Sequence, residues 1–509
     1  MPPDNEFAPP PADIHNLRLA ANIHPPDWRN PDPARRYNLV VIGAGTAGLV
    51  AAAGAAGLGA KVALIERRLM GGDCLNFGCV PSKAMLAAAR AAVAARGAPA
   101  LGVRGAPAAI DFAAAMARMR EARAGLSAND SAHRFRDLGV DVFLGEGRFV
   151  APDAIAVGDT ILRFRRAVIA TGSRPVAPPI PGLETVGYLT NETVFSLTAM
   201  PRRLAIIGGG AIGCELAQAF RRFGAEVAIL EAAPRILGRD DADAAALIER
   251  TLADEGVRIL AGCAVESVSA SAEAKVLSVR HARAEAAEQI AADEILVAAG
   301  RAPNLDGLAL DAAGIASDPT AGVVVDDFLR TTNRRVYAAG DVCTQFRFTH
   351  AADAMARIVI RNALFFGRAR ISALTIPSCV YTDPEVAHTG LSAQEAAARG
   401  AEDTTLFLPM RDVDRATLDG RADGFAKIHA ARRGGRILGG TIVAPHAGEM
   451  ISELTLAIAR RVPLGALANV IHPYPTVAEA FRKLADQYNR TRLTPRTSRI
   501  LARWFAWQR

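Results

Sequence analysis

The chain has 509 residues, half of them apolar, with an excess of seven positive charges spread along its length. That length exceeds one ordinary core and predicts two to four domains. Lys/Arg runs with interleaved aromatics do not occur in the body of the chain, which argues against nucleic acid as a partner, and no uninterrupted apolar stretch reaches membrane-spanning length.

Residues 1–36 are rich in Pro and Asn and predict an extended arm or a disordered leader, with His15 and His24 exposed rather than bound to metal. The segment has neither the basic start nor the apolar run of a signal peptide, so a cytoplasmic location is expected. In that compartment a lasting disulfide is rare. Four of the six cysteines (Cys214, Cys263, Cys343, Cys379) are scattered singly, without the spacing of a zinc site, and read as small buried hydrophobes.

Residues 37–66, YNLVVIGAGTAGLVAAAGAAGLGAKVALIE, predict an apolar strand, a glycine loop, an Ala-rich helix and a second strand closing on Glu66. Gly43, Gly45 and Gly48 have GxGxxG spacing: the first permits a tight turn, the second lets backbone approach a pyrophosphate, and the third lets helix and strand pack closely. Glu66 stands where a carboxylate accepts from ribose hydroxyls. Residues 203–231, RLAIIGGGAIGCELAQAFRRFGAEVAILE, repeat the unit with Gly208, Gly210, Gly213 and Glu231. Two dinucleotides in two Rossmann-like units are the natural reading. A carboxylate at Glu231 repels a 2′-phosphate and only Arg235 is near enough in sequence to offset it, so NADH is favoured over NADPH.

Between the two units lies GGDCLNFGCVPSK, residues 71–83. A cysteine pair at this spacing in a cytoplasmic chain suggests redox chemistry more than structure, and two thiolates without a nearby histidine are too few ligands for a closed zinc site. No resident metal is expected.

Together with ATGSRP (170–175), VAAGRAPN (297–304), VYAAGDV (336–342) and HPYPTVAE (472–479), these motifs make residues 37–490 resemble the FAD-dependent pyridine nucleotide-disulfide oxidoreductases, the family of dihydrolipoamide dehydrogenase, glutathione reductase and mercuric reductase. The resemblance implies an α/β fold: two Rossmann-like domains, for FAD and NAD(P), and a C-terminal α+β dimerisation domain. The expected division is an N-terminal arm at 1–36, FAD binding at 37–190 and 305–375, NAD(P) binding at 191–304, a homodimer interface at 376–490 and a basic tail at 491–509. It further assigns cofactor contacts to Gly72, Gly147, Thr171, Gly172, Ser173, Gly300, Asp341 and His350.

In such enzymes Cys79 makes the flavin contact as a thiolate and Cys74 is the interchange thiol, while Lys83 lies near the flavin and pairs with Glu215. Asp73 replaces the family's common threonine, and a neighbouring carboxylate raises a thiol pKa. The C-terminal motif departs further. Aligned on Pro475, Thr476 and Glu479, it puts Tyr474 where disulfide reductases have an acid/base histidine, as the mercuric reductase branch does. His472 competes for that role if the loop is extended. The sequence shows neither a CxxC module ahead of residue 37 nor paired cysteines near its end, so that branch's metal-delivery route is not expected.

The reading is a homodimeric enzyme passing electrons from NAD(P)H through FAD and Cys74/Cys79 to a small thiol or disulfide or to a soft metal. Its rivals are a dihydrolipoyl dehydrogenase and a non-catalytic redox-responsive flavoprotein. The ending RTRLTPRTSRILARWFAWQR predicts a basic amphipathic helix, packed on its own dimer or in weak contact with an anionic membrane surface.

Overall fold

The computed structural model describes residues 7–104, 109–282, 286–400 and 403–509. The first six residues of the expected arm lie outside that set. Two compact units are present: residues 1–234 with 255–373, and residues 235–254 with 374–509.

The first unit holds two sheets that carry the glycine loops, the first mixed, with 154–157 antiparallel to its neighbours, and the second all parallel. One runs in the order 140–144, 62–66, 37–42, 160–169, 154–157, 147–151, with 336–338 also paired to 160–169. Leu39, Val40 and Val41 have no exposed surface, as expected for a parallel strand covered on both faces. The other sheet has the order 258–261, 226–231, 203–207, 294–297. Both place a glycine loop at the C-terminal end of the leading strand.

Seven helices of this unit matter for the site: α1 (Ile14–Ile23), α2 (Thr46–Gly57), α3 (Gly72–Asn76), α4 (Cys79–Gly97), α5 (Phe112–Leu126), α6 (Ala211–Phe223) and α7 (Thr349–Leu364). α1 corrects the expectation of an extended or disordered arm. Asp13 caps it by accepting from the His15 and Asn16 amides, and Asn16, Leu19, Ala20 and Ile23 are fully buried. His15 and His24 are half-buried, and the His24 ring stacks on Phe7 at 3.7 Å.

Cys214 and Cys263 are buried as expected, whereas Cys343 and Cys379 are only partly so.

The second unit is built on an antiparallel sheet in the order 378–380, 385–390, 437–444, 425–431, 403–409. Helices α8 (Ala447–Ala459), α9 (Glu479–Thr491) and α10 (Pro495–Trp507) follow. Residues 235–254 cluster with this unit. Lys427 is 8 % exposed, and its ammonium lies 2.8 Å from Asp241 and 2.6 Å from Asp243; burial of that cation demands such partners.

Candidate functional site: two dinucleotide cradles and a dithiol

The first cradle is set by close backbone approach. A Cβ on Gly48 would lie 1.8 Å from the Gly43 carbonyl oxygen, and Gly43 itself has φ +99°. Only glycine lets α2 start this near the strand, leaving its N-terminal amides uncapped by any side chain. Glu66 accepts from the Ala44 amide at 2.7 Å and the Arg68 amide at 2.8 Å, and burial raises its carboxyl. A cavity at the same end of the sheet is lined by Gly43, Glu66, Arg67, Gly147, Thr171 and Leu308, among others. Its glycine walls, with Glu66 fixed at the end of the second strand, fit the adenosine half of FAD.

Beyond it, Ser173 donates to Asp341 at 2.7 Å, and burial raises the Asp341 carboxyl. Gly172 takes a left-handed φ of +69° beside Thr171, whose hydroxyl donates to the Asn304 carbonyl at 2.8 Å. Gly300 accepts from the Val176 amide at 3.2 Å, and His350 stacks on Phe348 at 5.3 Å.

The second cradle repeats the first. A Cβ on Gly213 would meet the Gly208 oxygen at 2.0 Å, while one on Gly210 would enter open space, where a pyrophosphate requires room. Glu231 accepts from the Gly209 amide at 2.6 Å and the Ala233 amide at 2.7 Å. Arg235 has its terminal nitrogens committed elsewhere: Nη1 donates to the Ile236 and Leu237 carbonyls and Nη2 to those of Gly238 and Asp240.

The dithiol loop packs on the first cradle. Gly72 has φ +59°, and a Cβ there would fall 2.6 Å from the Gly45 Cα. Cys74 sits within α3 and Cys79 opens α4, both as free thiols. Cys79 is pushed down to about 6 by the hydrogen bond from Cys74, helped by Thr349, whose hydroxyl lies 3.4 Å away, and by the Lys83 ammonium. Cys74 is pushed far up, first by that same bond to Cys79, then by burial and by the Asp73 charge among others. One proton is therefore shared unequally, with the thiolate at the helix start.

Lys83 meets Glu215 of α6 at 2.8 Å. Asp73 is held by Asn191 at 3.0 Å and Arg301 at 3.2 Å, and Arg301 also donates to Ser173 at 2.8 Å. Asn191, Arg301 and Thr349 escape the sequence reading, although Arg301 follows Gly300 directly and Thr349 precedes His350.

In the second unit, the C-terminal motif separates its two candidates. The His472 ring is turned inward, its side chain 5 % exposed, with Nε2 3.1 Å from Glu453 of α8. Tyr474 is 70 % exposed and donates to Asp414 at 3.0 Å, which raises the phenol's pKa. Glu479 is buried; Oε1 pairs with Arg482, while Oε2 has no hydrogen-bond partner among the described residues.

The pyridine nucleotide-disulphide oxidoreductase family matches residues 37–356, and its dimerisation domain matches residues 376–485. A mercuric reductase of Bacillus cereus is 33% identical over 447 residues, 88% of this chain and 70% of that protein. A dihydrolipoyl dehydrogenase of Chlamydia muridarum is 34% identical over 462 residues, 88% of this chain and 96% of that protein. Among solved structures, the Cu(II) complex of RclA from Escherichia coli, an HOCl-induced flavoprotein disulfide reductase, superposes with a TM-score of 0.79 at 30% identity, covering 88% of this chain and 99% of RclA. The family match takes in more than half of the sequence, and its dimerisation domain accounts for the second unit's sheet. This chain accordingly belongs to the pyridine nucleotide-disulphide oxidoreductases: it is a flavin-dependent, dimer-forming enzyme that uses FAD and NAD(P)H.

Proposed function

We propose that this enzyme delivers electrons from NADH, through the Cys74/Cys79 pair, to a soft metal ion. FAD is assigned to residues 37–190 and 305–375, NADH to 191–304, and the dimer interface to 376–490. The observation that carries the acceptor is Tyr474, an exposed phenol in the place of an acid/base histidine, with His472 withdrawn onto Glu453. A phenol near a pKa of about 10 stays protonated at neutral pH and donates a hydrogen bond; it does not shuttle protons as an imidazole near about 6.5 does.

Bound FAD would accept the hydride and return two electrons to the sulfur pair. Cys79, the stabilised thiolate, would be the sulfur on the flavin side, and the Lys83–Glu215 pair would adjust the local charge there. Cys74, partly buried beside the exposed Cys79, is the interchange sulfur that takes the acceptor, and thiolate ligands select soft ions. Tyr474, supplied across the homodimer, hydrogen-bonds the bound species. The reaction balances as NADH plus two Cu2+ giving NAD+, H+ and two Cu+, or with one Hg2+ giving Hg0. Similarity to mercuric reductases and to an RclA solved with Cu(II) supports this class of acceptor.

Anaerobic assays of NADH oxidation with cupric and mercuric ions, beside dihydrolipoamide with NAD+, decide between metal reduction and the dihydrolipoyl dehydrogenase reading. Metal-dependent turnover that Cys74→Ser abolishes is expected. Robust dihydrolipoamide oxidation with no metal turnover would refute the proposal.

The tail adds a partner. Ile500, Leu501, Trp504 and Phe505 are exposed along one arc of α10, and residues 487–509 carry six arginines and no acid. That pattern suits shallow contact with anionic lipid, weak for one helix and strengthened by a homodimer's two. Co-sedimentation with phosphatidylserine vesicles, lost in Arg499→Glu/Arg503→Glu, is expected; unchanged vesicle binding with altered oligomeric state would assign the helix to a second copy of the chain instead. Cytoplasmic residence is part of the same reading, since a working dithiol requires a reducing compartment.

A further inference from the structure

The family match begins at residue 37, yet α1 lies before it and buries Asn16, Leu19, Ala20 and Ile23 completely. Three contacts join it to the dithiol loop. Ile23 accepts from the Met70 amide at 3.3 Å, and the His24 ring bonds the Arg68 carbonyl. The third runs through Arg123 of α5, 1 % exposed: Nη2 donates to the Asn16 side chain at 2.6 Å and Nη1 to the Asn76 carbonyl at 2.7 Å. Asn76 is itself fully buried, and its amide holds the Met70 and Gly72 carbonyls at 3.1 and 2.9 Å, bracing the turn that carries Cys74.

A buried guanidinium bonded to no carboxylate among the described residues is costly to keep. Its two observed partners lie at either end of one line, from the N-terminal helix to the cysteine turn. Asn16 does more than fill space: it fixes which way the Arg123 fork points, and the other tine sets the Asn76 carbonyl at the end of α3.

We propose that Asn16 is a positioning residue for the redox pair: acting through Arg123, it holds the α3 turn so that Cys74 stays closed against Cys79 and opens only to its acceptor. The inference rests on reading Cys74, partly buried in the structure, as the sulfur that takes the acceptor. It predicts that loosening α1 changes thiol reactivity before it changes hydride transfer, because the NADH cradle lies on the other sheet.

The test uses the full-length holoenzyme, reduced anaerobically, with Asn16→Ala and Asn16→Asp. Iodoacetamide labelling of Cys74, followed by peptide mass spectrometry, is expected to quicken about fivefold or more in Asn16→Ala, as a loosened loop exposes its sulfur. Asn16→Asp, which offers Arg123 a carboxylate, is expected to restore the wild-type rate. NADH reduction of the flavin should stay within about twofold in both. Labelling that is unchanged in Asn16→Ala, with a lowered melting temperature, would overturn the inference and leave α1 a purely stabilising element. Equal acceleration in both variants would also overturn it. The labelling rate does not depend on electron flow, so failure of the electron-transfer role, seen as full acceptor reduction in Cys74→Ser, is read separately.

Discussion

Lys83 and Glu215 form an ion pair of 2.8 Å between α4 and α6, and the Lys83 ammonium is one of the charges that lower the Cys79 pKa. Removing that ammonium in Lys83→Met takes away a stabilising positive charge, so the Cys79 pKa rises. Glu215→Gln acts oppositely, leaving the ammonium less compensated. We expect the pH midpoint of the thiolate-to-flavin absorbance to move up by about one unit in Lys83→Met and slightly down in Glu215→Gln. Shifts of the same sign in both would contradict this assignment.

In the wild-type enzyme the thiolate exists above the Cys79 pKa, lowered to about 6, and is lost as pH falls through it. Cys74 is raised and remains a thiol at neutral pH. Absorbance of the reduced enzyme should therefore show one midpoint near that value, with no second thiol ionisation before pH 8. A Cys74→Ala variant, which loses the leading stabilising hydrogen bond, should titrate higher.

Tyr474→Phe keeps the ring and removes only the hydroxyl that now bonds Asp414. Metal-dependent kcat is expected to fall about tenfold, in the range for one transition-state hydrogen bond, with the melting temperature unchanged. Tyr474→His supplies a group that titrates near neutrality, and dihydrolipoamide turnover should rise above wild type. Steady-state kinetics on both substrates checks the pair.

Glu231 bears on nicotinamide choice. With the Arg235 Nη donors occupied by main-chain carbonyls, that side chain has no Nη hydrogen left to bond a 2′-phosphate beside the carboxylate. NADH should be preferred, and Glu231→Gln should shrink the ratio of the two kcat/KM values about tenfold. A wild-type preference for NADPH would show that the phosphate is met by another group.

Two glycines of α2 separate close packing from propensity. Gly48→Ala forces a methyl onto the Gly43 carbonyl and should abolish FAD retention. Gly57→Ala meets nothing within 4 Å and should stabilise the holoenzyme by up to about 1 kcal/mol. Flavin content after gel filtration and thermal denaturation measure the two effects.

The glycine cradles and the cysteine loop are legible in the sequence because their physics is local: a loop, a helix start and an acid fit within some thirty residues. What escapes is the chemistry assembled from distant segments. Asn16, Arg123 and Asn76 carry no pattern in common, and nothing in the sequence announces that Asn191 and Arg301 converge on Asp73. α1 was nearer to hand: Asp13 is a good cap, and Leu17, Leu19, Ala20 and Ile23 suit a buried helix face, but the prolines around it disguise the signal. His472 and Tyr474 are two positions apart, yet one turns in and the other out, a difference set by Glu453 and Asp414.

The acids that close the two cradles are each gripped through both oxygens by amides of their own loops. Neither loop must be ordered when a nucleotide arrives, so little of the binding energy is diverted into freezing backbone, and more is left to set ring orientation. The same grip makes selectivity rigid: a carboxylate tethered at two points keeps its place, and an ill-matched ribose meets a fixed wall.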